Sequence, residues 1–413
     1  MIALRYAVGA LALSLSLSLS LSAAAAFGIA GAASPAHAAN GAPTSVVPRS
    51  VAPAVSDPAV TDPVGGARLA DPGVIVNLAP GVPAPPTMPG ASFLVADMDT
   101  GQILAAKAPH TPRLPASTLK ALTALTLIPR LDASAKIMVE PEDVRVEGSR
   151  VGILAGTAYS VPTLFRGLLL ASGNDAANTL ARANQSVAVT LGEMNATATD
   201  LGAFDTVAKD PSGLDKPGQT SSAYDLALIG RAAMKLPDFR GYVSTRTASV
   251  PGGRSVDGKT VPAFRINNHN RLLYNYDGAI GIKNGYTIAA KQTFIAAATR
   301  AGKTYIVTEM GSANGSWRPT AALLDWAFAH GSEVAPVGEL VEPGSTTRPG
   351  LSPTSGDGAA EGSSRAASGA NALATPTRVR LPALQPWVGA AGLLSGVALV
   401  GAFAARSISS RRR

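Results

Sequence analysis

Ser117-Thr118-Leu119-Lys120 opens an apolar segment that runs to Leu127, and it decides how the rest of the chain is interpreted. The segment is apolar almost all round, which predicts a buried helix. Residues three apart on a helix share a face, so the Ser117 hydroxyl and the Lys120 amine are predicted to meet. A serine needs an adjacent base to become a nucleophile, and a lysine serves when burial lowers its pKa. An N-cap serine followed by an exposed lysine is the alternative.

A second polar motif, Ser172-Gly173-Asn174, follows three leucines, 168–170. Small polar residues between two helical stretches are ordinary turn and capping chemistry, and that interpretation stays open. The functional interpretation makes Ser172 a proton relay and Asn174 a contact for a substrate amide. The motif alone does not decide between the two.

The third motif is Lys283-Asn284-Gly285, which leads into a predicted strand. A glycine at a strand edge lets a substrate backbone approach closely, and the neighbouring lysine adds a cation there. The alternative is a hairpin turn built on Asn284-Gly285.

The pattern around these motifs predicts a mixed α/β or α+β domain over residues 90–330. Two apolar runs, 92–98 and 102–106, flank an Asp-Thr-Gly turn and predict a β-hairpin. Further helices are predicted at 118–127, 162–184 and 221–236, and further strands near 279–283, 292–298 and 304–310. Strands at both ends with helices between them are the basis of this assignment.

Composition excludes several classes of function. The chain has 413 residues, no cysteine, four histidines and a formal net charge of +8. Without cysteine there is no disulfide framework, thiolate metal site or cysteine nucleophile. The histidines are scattered, so we expect no zinc site, no other metal and no cofactor. No basic stripe is interleaved with aromatic residues, so no nucleic-acid partner is expected.

Both ends of the chain carry address signals. Residues 1–38 combine an apolar run with Ala36-His37-Ala38, which predicts a signal peptide cleaved after Ala38; an uncleaved anchor is the alternative. Residues 387–405 form a mostly apolar run long enough to span a bilayer, and 406–413 are rich in arginine. The positive-inside rule then predicts a single-pass helix with a cytoplasmic tail and an extracytoplasmic catalytic domain. A buried core helix is the alternative.

Two linkers are predicted on either side of the domain. Residues 39–89 are dense in proline and alanine, and residues 331–384 contain glycine, serine, threonine and proline tracts. Such compositions cannot bury enough apolar surface to offset chain entropy, so both are predicted to be flexible.

The three motifs in this order resemble those of class A β-lactamases and penicillin-binding proteins. The flanking sequence resembles that of the D-alanyl-D-alanine carboxypeptidases, above all at Asp210-Pro211-Ser212-Gly213-Leu214-Asp215. These enzymes are low-molecular-mass penicillin-binding proteins and serine peptidases. The resemblance covers nearly all of residues 90–330. It implies a β-lactamase/transpeptidase-like fold, in which helices cover a mostly antiparallel sheet.

The resemblance also implies roles for individual residues. Ser117 attacks the D-Ala-D-Ala carbonyl of a peptidoglycan stem peptide, Lys120 is its base, and Ser172 passes the proton to the leaving D-alanine. Backbone N–H groups of Ser117 and Thr287 are the expected oxyanion hole. β-Lactam antibiotics are expected to inhibit by mimicking the substrate. The implied substrate-binding residues are Asn174, Lys283, Gly285, Thr287 and Arg318.

One departure from the family pattern keeps other functions open. Asn284 stands where the family usually has threonine, which removes a hydroxyl but keeps a polar side chain. A catalytically silent peptidoglycan-binding module is one alternative that this change supports. A β-lactamase is a separate alternative within serine acyl chemistry, although the sequence gives no clear carboxylate to hold its hydrolytic water.

Overall fold

The computed structural model describes residues 62–313 and 315–347. The strands are β1 Val74–Leu78, β2 Ser92–Asp97, β3 Gln102–Lys107, β4 Lys136–Met138, β5 Ala158–Ser160, β6 Thr247–Val250, β7 Gly253–Arg254, β8 Thr260–Val261, β9 Phe264–Asn267, β10 Ala279–Thr287, β11 Lys291–Arg300, β12 Lys303–Ser312, β13 Val334–Ala335 and β14 Gly338–Glu339. The α-helices are α1 Lys120–Leu127, α2 Val161–Leu170, α3 Asn174–Ala183, α4 Val187–Asp200, α5 Ala223–Ala233, α6 Pro237–Ser244, α7 Leu272–Asn275 and α8 Arg318–His330. Short 3₁₀ helices cover Ala67–Ala70 and Ala116–Leu119.

One large antiparallel sheet organises the domain. Its strand order is β10-β11-β12-β2-β3-β1-β13, and β14 also pairs with β3. The predicted hairpin is confirmed as β2 and β3, and the three later strands are confirmed as β10, β11 and β12, each longer than predicted. Strand β10 forms one edge of the sheet, so its outer backbone groups are available to a neighbour.

The sheet separates two apolar layers, which explains why its strands are buried on both faces. Phe93 and Val95 of β2 belong to a cluster that includes residues of α8. Leu94 and Ala96 alternate with them and belong to a larger cluster with α1 and α5. Because successive strand residues point to opposite faces, this alternation builds a helix–sheet–helix sandwich. The predicted antiparallel sheet covered by helices is confirmed.

Three of the helices begin at a serine whose side chain caps the first turn. Ser160, Ser186 and Ser222 accept hydrogen bonds from the backbone N–H groups of Thr163, Val189 and Asp225, respectively. Such caps satisfy N–H groups that have no partner inside a helix. Local sequence therefore fixes where these helices start.

The folded domain extends beyond both predicted boundaries, which corrects two linker predictions. Within 39–89, residues 74–78 form β1, which pairs with β3, and Ile75 is buried. Within 331–384, β13 pairs with β1, and β14 pairs with β3. Composition missed these strands because their stability comes from pairing with distant strands, not from local periodicity.

The predicted signal peptide, the rest of the two linkers, the span 387–405 and the tail 406–413 lie outside the described residues. Within residues 62–313 and 315–347, none of the helices has the length and apolar character that crossing a bilayer requires.

Candidate active site

Ser117 lies in a tight turn at the start of α1. The turn is fixed at the Pro115 carbonyl, which accepts hydrogen bonds from the hydroxyls of Thr118 at 2.6 Å and Thr293 on β11 at 2.7 Å. Ala116, immediately before the serine, has a left-handed φ of 48°. A non-glycine residue in this region costs about 1 to 2 kcal/mol, so the surrounding contacts hold the turn in place. Ser117 itself remains partly exposed.

Lys120 is buried and its amine has three oxygen neighbours. The Nζ atom lies 2.9 Å from the Ser117 Oγ, 2.7 Å from the Asn174 Oδ1 and 2.6 Å from the Ser212 carbonyl oxygen. Burial, and next the positive charge of Lys283, hold the pKa of Lys120 well below its ordinary value of 10.5. The predicted pairing of Ser117 with a buried lysine is confirmed as geometry.

The second motif lies at a break between two helices. Residues 162–184 are predicted to be helical, with the motif as a turn between two helical stretches in one interpretation, and the structure has this turn: α2 ends at Leu170 and α3 begins at Asn174. Ser172 occupies the break with a left-handed φ of 58°, which a continuous helix excludes. Within the described part of the chain, its hydroxyl makes no hydrogen bond, and the residue is 5% exposed.

Asn174 has a different environment from the one predicted. Its Oδ1 accepts a hydrogen bond from Lys120, and its Nδ2 donates to the Glu147 carbonyl at 2.7 Å. With 2% exposure, the side chain has both polar ends occupied inside the protein. In this conformation it positions Lys120, and its contact with a substrate amide stays a prediction.

Asp175 anchors the loop that passes over this break, a role that no sequence pattern indicates. Its carboxylate accepts hydrogen bonds from the backbone N–H groups of Val151 at 2.9 Å and Gly152 at 2.8 Å. The backbone N–H of Asn174 donates to the Ser149 carbonyl. The second motif therefore holds one wall of the site as well as the lysine.

The third motif lies on the edge strand β10 beside the serine turn. A Cβ atom on Gly285 would lie 2.7 Å from the Ser117 backbone nitrogen, so only glycine lets β10 approach this closely. Lys283 is fully buried, and burial lowers its pKa to about 7. Its ammonium donates to the Asn284 carbonyl at 2.6 Å. The hairpin-turn alternative is wrong, because Asn284 and Gly285 lie inside the strand.

Two predicted substrate contacts are placed less favourably. The Thr287 hydroxyl donates to the Asp215 Oδ1 at 3.0 Å and accepts from the Ala290 backbone N–H, so its proton is already used. Arg318 is the first residue of α8 and stacks on Trp317, with the guanidinium carbon 5.3 Å from the ring centroid. No contact joins it to Ser117 or Lys120 among the described residues.

Sequence reasoning missed the contribution of the loop 210–219. The Ser212 carbonyl holds Lys120, and a Cβ on Gly213 would lie 2.0 Å from the Ala116 carbonyl oxygen. Asp210 accepts a hydrogen bond from the Ser212 backbone N–H at 2.7 Å, and its charge opposes the lowering of the Lys120 pKa. The resemblance had marked this loop, but backbone contacts leave no signature in residue types.

A partly exposed serine, a buried amine within hydrogen-bonding distance and an adjacent edge strand define a serine acyl-transfer enzyme. The comparisons agree. The model of the D-alanyl-D-alanine carboxypeptidase family, peptidase family S11, matches residues 80–314. The D-alanyl-D-alanine carboxypeptidase DacB2 of Mycobacterium tuberculosis is 41% identical over 262 residues, which are 62% of this chain and 87% of that protein.

Solved structures show the same relationship. A crystal structure of the D-alanyl-D-alanine carboxypeptidase from M. tuberculosis matches with a TM-score of 0.59 and 40% identity over 64% of this chain and 99% of that one. The Streptomyces K15 DD-transpeptidase matches with a TM-score of 0.56 and 31% identity over 60% and 100%. The chain belongs to the D-alanyl-D-alanine carboxypeptidase family. It is a serine peptidase with the penicillin-binding, transpeptidase-like fold.

Proposed function

We propose that Ser117 is the nucleophile and Lys120 the general base of a D-Ala-D-Ala carboxypeptidase that trims peptidoglycan stem peptides. The observation that carries this proposal is the buried Lys120 amine, 2.9 Å from the Ser117 hydroxyl. Ser117 Oγ attacks the penultimate D-alanine carbonyl, its proton passes to Lys120, and the terminal D-alanine leaves. Water then hydrolyses the acyl-enzyme.

A count of hydrogens supports the neutral form of Lys120. A neutral amine has two hydrogens and one lone pair. The Asn174 Oδ1 and the Ser212 carbonyl can only accept hydrogen bonds, so they take both hydrogens. The lone pair then faces Ser117, whose O–H donates to it. The lowered pKa of Lys120 favours this arrangement.

The oxyanion hole is proposed to use the N–H of Tyr286, not that of Thr287. In an antiparallel pair, the N–H and C=O of one residue point to the same side, and the side alternates along the strand. The Asn284 carbonyl reaches the Lys283 ammonium, so it points away from the sheet, and Tyr286, two residues on, shares that direction. Gly285, the residue before Tyr286, lies against the Ser117 backbone nitrogen. The backbone N–H of Thr287 points the other way, towards β11.

Ser172 is proposed to return the proton to the leaving amine. Its hydroxyl is unpaired within the described residues and belongs to the same turn as Asn174, which binds the Lys120 amine. The positive charge of Lys283 acts on Lys120, so the second cation lies close enough to stabilise developing negative charge. The substrate's carboxylate is proposed to bind near Lys283, Asn284 and Arg318.

The location of the enzyme is proposed from the two ends of the sequence. The signal-like residues 1–38 direct export, and the apolar run 387–405 with its arginine tail holds the catalytic domain on the outer side of the cell membrane. Removal of residues 385–413 is expected to release the protein from the membrane fraction. Retention there after removal would exclude this anchor.

The proposed function is tested by D-alanine release from diacetyl-L-Lys-D-Ala-D-Ala. The wild-type protein is expected to release D-alanine, and a fluorescent penicillin is expected to label Ser117. Ser117→Ala should abolish both, while Ser134→Ala, at a surface serine, should change neither. Release by Ser117→Ala would remove the nucleophile assignment. Rapid hydrolysis of the penicillin in place of a stable adduct would favour a β-lactamase.

A further inference from the structure

A small cavity lies beside the third motif, on the face of β10 away from Ser117. Asn284 lines it, together with His269, Arg271, Gln292 and Trp317. Asn284 pairs with Phe294 on the neighbouring strand β11, and Phe294 belongs to the apolar cluster that includes residues of α8. The cavity measures about 60 Å³, whereas one water takes roughly 30 Å³ in the liquid. The space therefore suits a group of a few atoms, such as a carboxylate.

Three side chains at this cavity have unused hydrogen-bonding groups. Within the described part of the chain, the Arg271 guanidinium, the His269 ring and the Asn284 amide make no side-chain hydrogen bond and no ion pair. Gln292 is different, because its amide donates to the Ser316 carbonyl at 2.9 Å. A guanidinium without an internal partner, beside a free amide, is suited to binding an anion from outside.

The charges around the cavity favour an anion as well. No aspartate or glutamate is among its lining residues. Lys283 lies next to Asn284 in β10, and Arg318 is stacked on the cavity residue Trp317. Burial, and next the charge of Lys283, lower the pKa of His269, so at neutral pH its ring is uncharged and retains one N–H donor.

Charge also fixes the direction in which a peptide lies along β10. The carboxylate of Asp215 is bonded to Thr287, at one end of the strand segment beside Ser117. Away from it, Lys283 precedes Asn284 in β10, Arg271 lines the cavity beside Asn284, and Arg318 stacks on the cavity residue Trp317. A peptide whose scissile carbonyl lies at Ser117 therefore directs its terminal carboxylate towards Asn284, one residue, or about 3.8 Å, further along.

We propose that Arg271, assisted by the Asn284 amide, is a second recognition point for the terminal carboxylate of the substrate, in addition to Arg318. This inference rests on the proposed function. The guanidinium and the amide supply the donors that the absent threonine hydroxyl would otherwise supply. Asn284 is then part of a carboxylate site and not a sign of lost activity.

The test compares two peptides, diacetyl-L-Lys-D-Ala-D-Ala and the same peptide with a C-terminal carboxamide. For the peptide acid, Arg271→Ala is expected to lower kcat/KM roughly tenfold to a hundredfold, which is the range for loss of a charge-assisted hydrogen bond. For the peptide carboxamide, kcat/KM should stay within about twofold of the wild-type value. Arg271→Lys should recover part of the loss. Arg265→Ala, which removes an exposed arginine of β9, is the matched control and should leave both values unchanged.

The outcomes separate this inference from the proposed function. If Arg271→Ala leaves the acid-to-amide ratio unchanged, or lowers both peptides equally, Arg271 does not read the carboxylate and the inference is wrong. Release of D-alanine by the wild-type protein in the same assay would leave the proposed function intact. If the wild-type protein releases none, the proposed function itself fails.

Discussion

Two buried polar clusters in this domain perturb ionisable groups in the same way, and one of them places a partly exposed serine, Ser117, beside the shifted group. In the first, burial and then Lys283 lower the pKa of Lys120. In the second, burial and then the charge of Asp205 raise the pKa of Asp225 well above its ordinary value. Both shifts favour the neutral form of the group, because burial disfavours the charged form.

The neighbours of the two clusters differ. Lys120 touches Ser117, which is partly exposed and can reach a substrate. The Asp225 cluster instead joins chain segments. His110 bonds to Asp205 through one ring nitrogen and to the Val64 carbonyl through the other, each at 2.9 Å. A shifted pKa alone therefore does not mark a catalytic site; an accessible nucleophile beside it does.

The second cluster holds the two ends of the folded domain together. Tyr224 lies against His110, with ring centroids 4.5 Å apart, and its hydroxyl donates to the Glu339 carbonyl at 2.9 Å. The Glu339 backbone N–H donates to the Gly65 carbonyl at 2.8 Å. Residues predicted to be linker on both sides thus meet at one place, and this cluster is structural.

The largest effect is expected at Lys120. Lys120→Met replaces the amine by an apolar side chain of similar length and so removes the base. The rate of acylation by penicillin should therefore fall roughly a hundredfold to ten-thousandfold. The measurement is the second-order rate of fluorescent-penicillin labelling. Lys235→Met, at an exposed lysine paired with Glu342, is the control and should label at the wild-type rate. Labelling of Lys120→Met at that same rate would make the two clusters equivalent and contradict the comparison.

A smaller effect, on stability alone, is expected at His110. His110→Phe keeps a ring beside Tyr224 but loses both hydrogen bonds, and the expected loss in the free energy of unfolding is about 1 to 3 kcal/mol. Urea unfolding measures it, and penicillin labelling should stay within twofold. His330→Phe removes an exposed pairing with Glu333 and should unfold like the wild type. A loss of labelling in folded His110→Phe would show that this cluster also serves catalysis.

The smallest effect is expected at Asp225, where substitution should change how the stability of the fold depends on pH. Its raised pKa means that the folded protein binds this proton more tightly than the unfolded chain does. The stabilisation that comes from this difference is complete below pH 3.8, the ordinary pKa of the carboxyl group in the unfolded chain. It is lost as the pH rises through the higher pKa of the folded protein. Asp225→Asn does not titrate, so its urea midpoint should decline less from pH 4 to pH 8. Parallel profiles for the two proteins would contradict the raised pKa.

Much of the fold and the catalytic pair could be predicted from the sequence because the signals are local. The hairpin at 92–106 and the strands β10 to β12 have apolar runs bounded by turns, and the spacing of Ser117 and Lys120 predicts their contact. These features depend on residues near one another in the chain. Their side chains alone specify them.

The features that the sequence missed depend on distant or backbone partners. Thr287 bonds to Asp215, 72 residues away, and Lys120 bonds to the backbone carbonyl of Ser212. The break at Ser172 requires a left-handed φ, and that position has no glycine that would indicate such a conformation. Pairing partners, carbonyl positions and strained φ angles follow from the assembled fold, so residue types cannot reveal them.

The central claim is that Lys120 is uncharged at neutral pH and accepts the Ser117 proton. The most direct measurement is the rate of penicillin acylation as a function of pH. Because two acceptor-only oxygens take both hydrogens of a neutral Lys120 amine, and burial and Lys283 lower its pKa, the rate should level off well below pH 10.5 and should fall as the pH is lowered further. A rate that keeps rising about tenfold per pH unit towards 10.5, the ordinary pKa of lysine, would contradict the account.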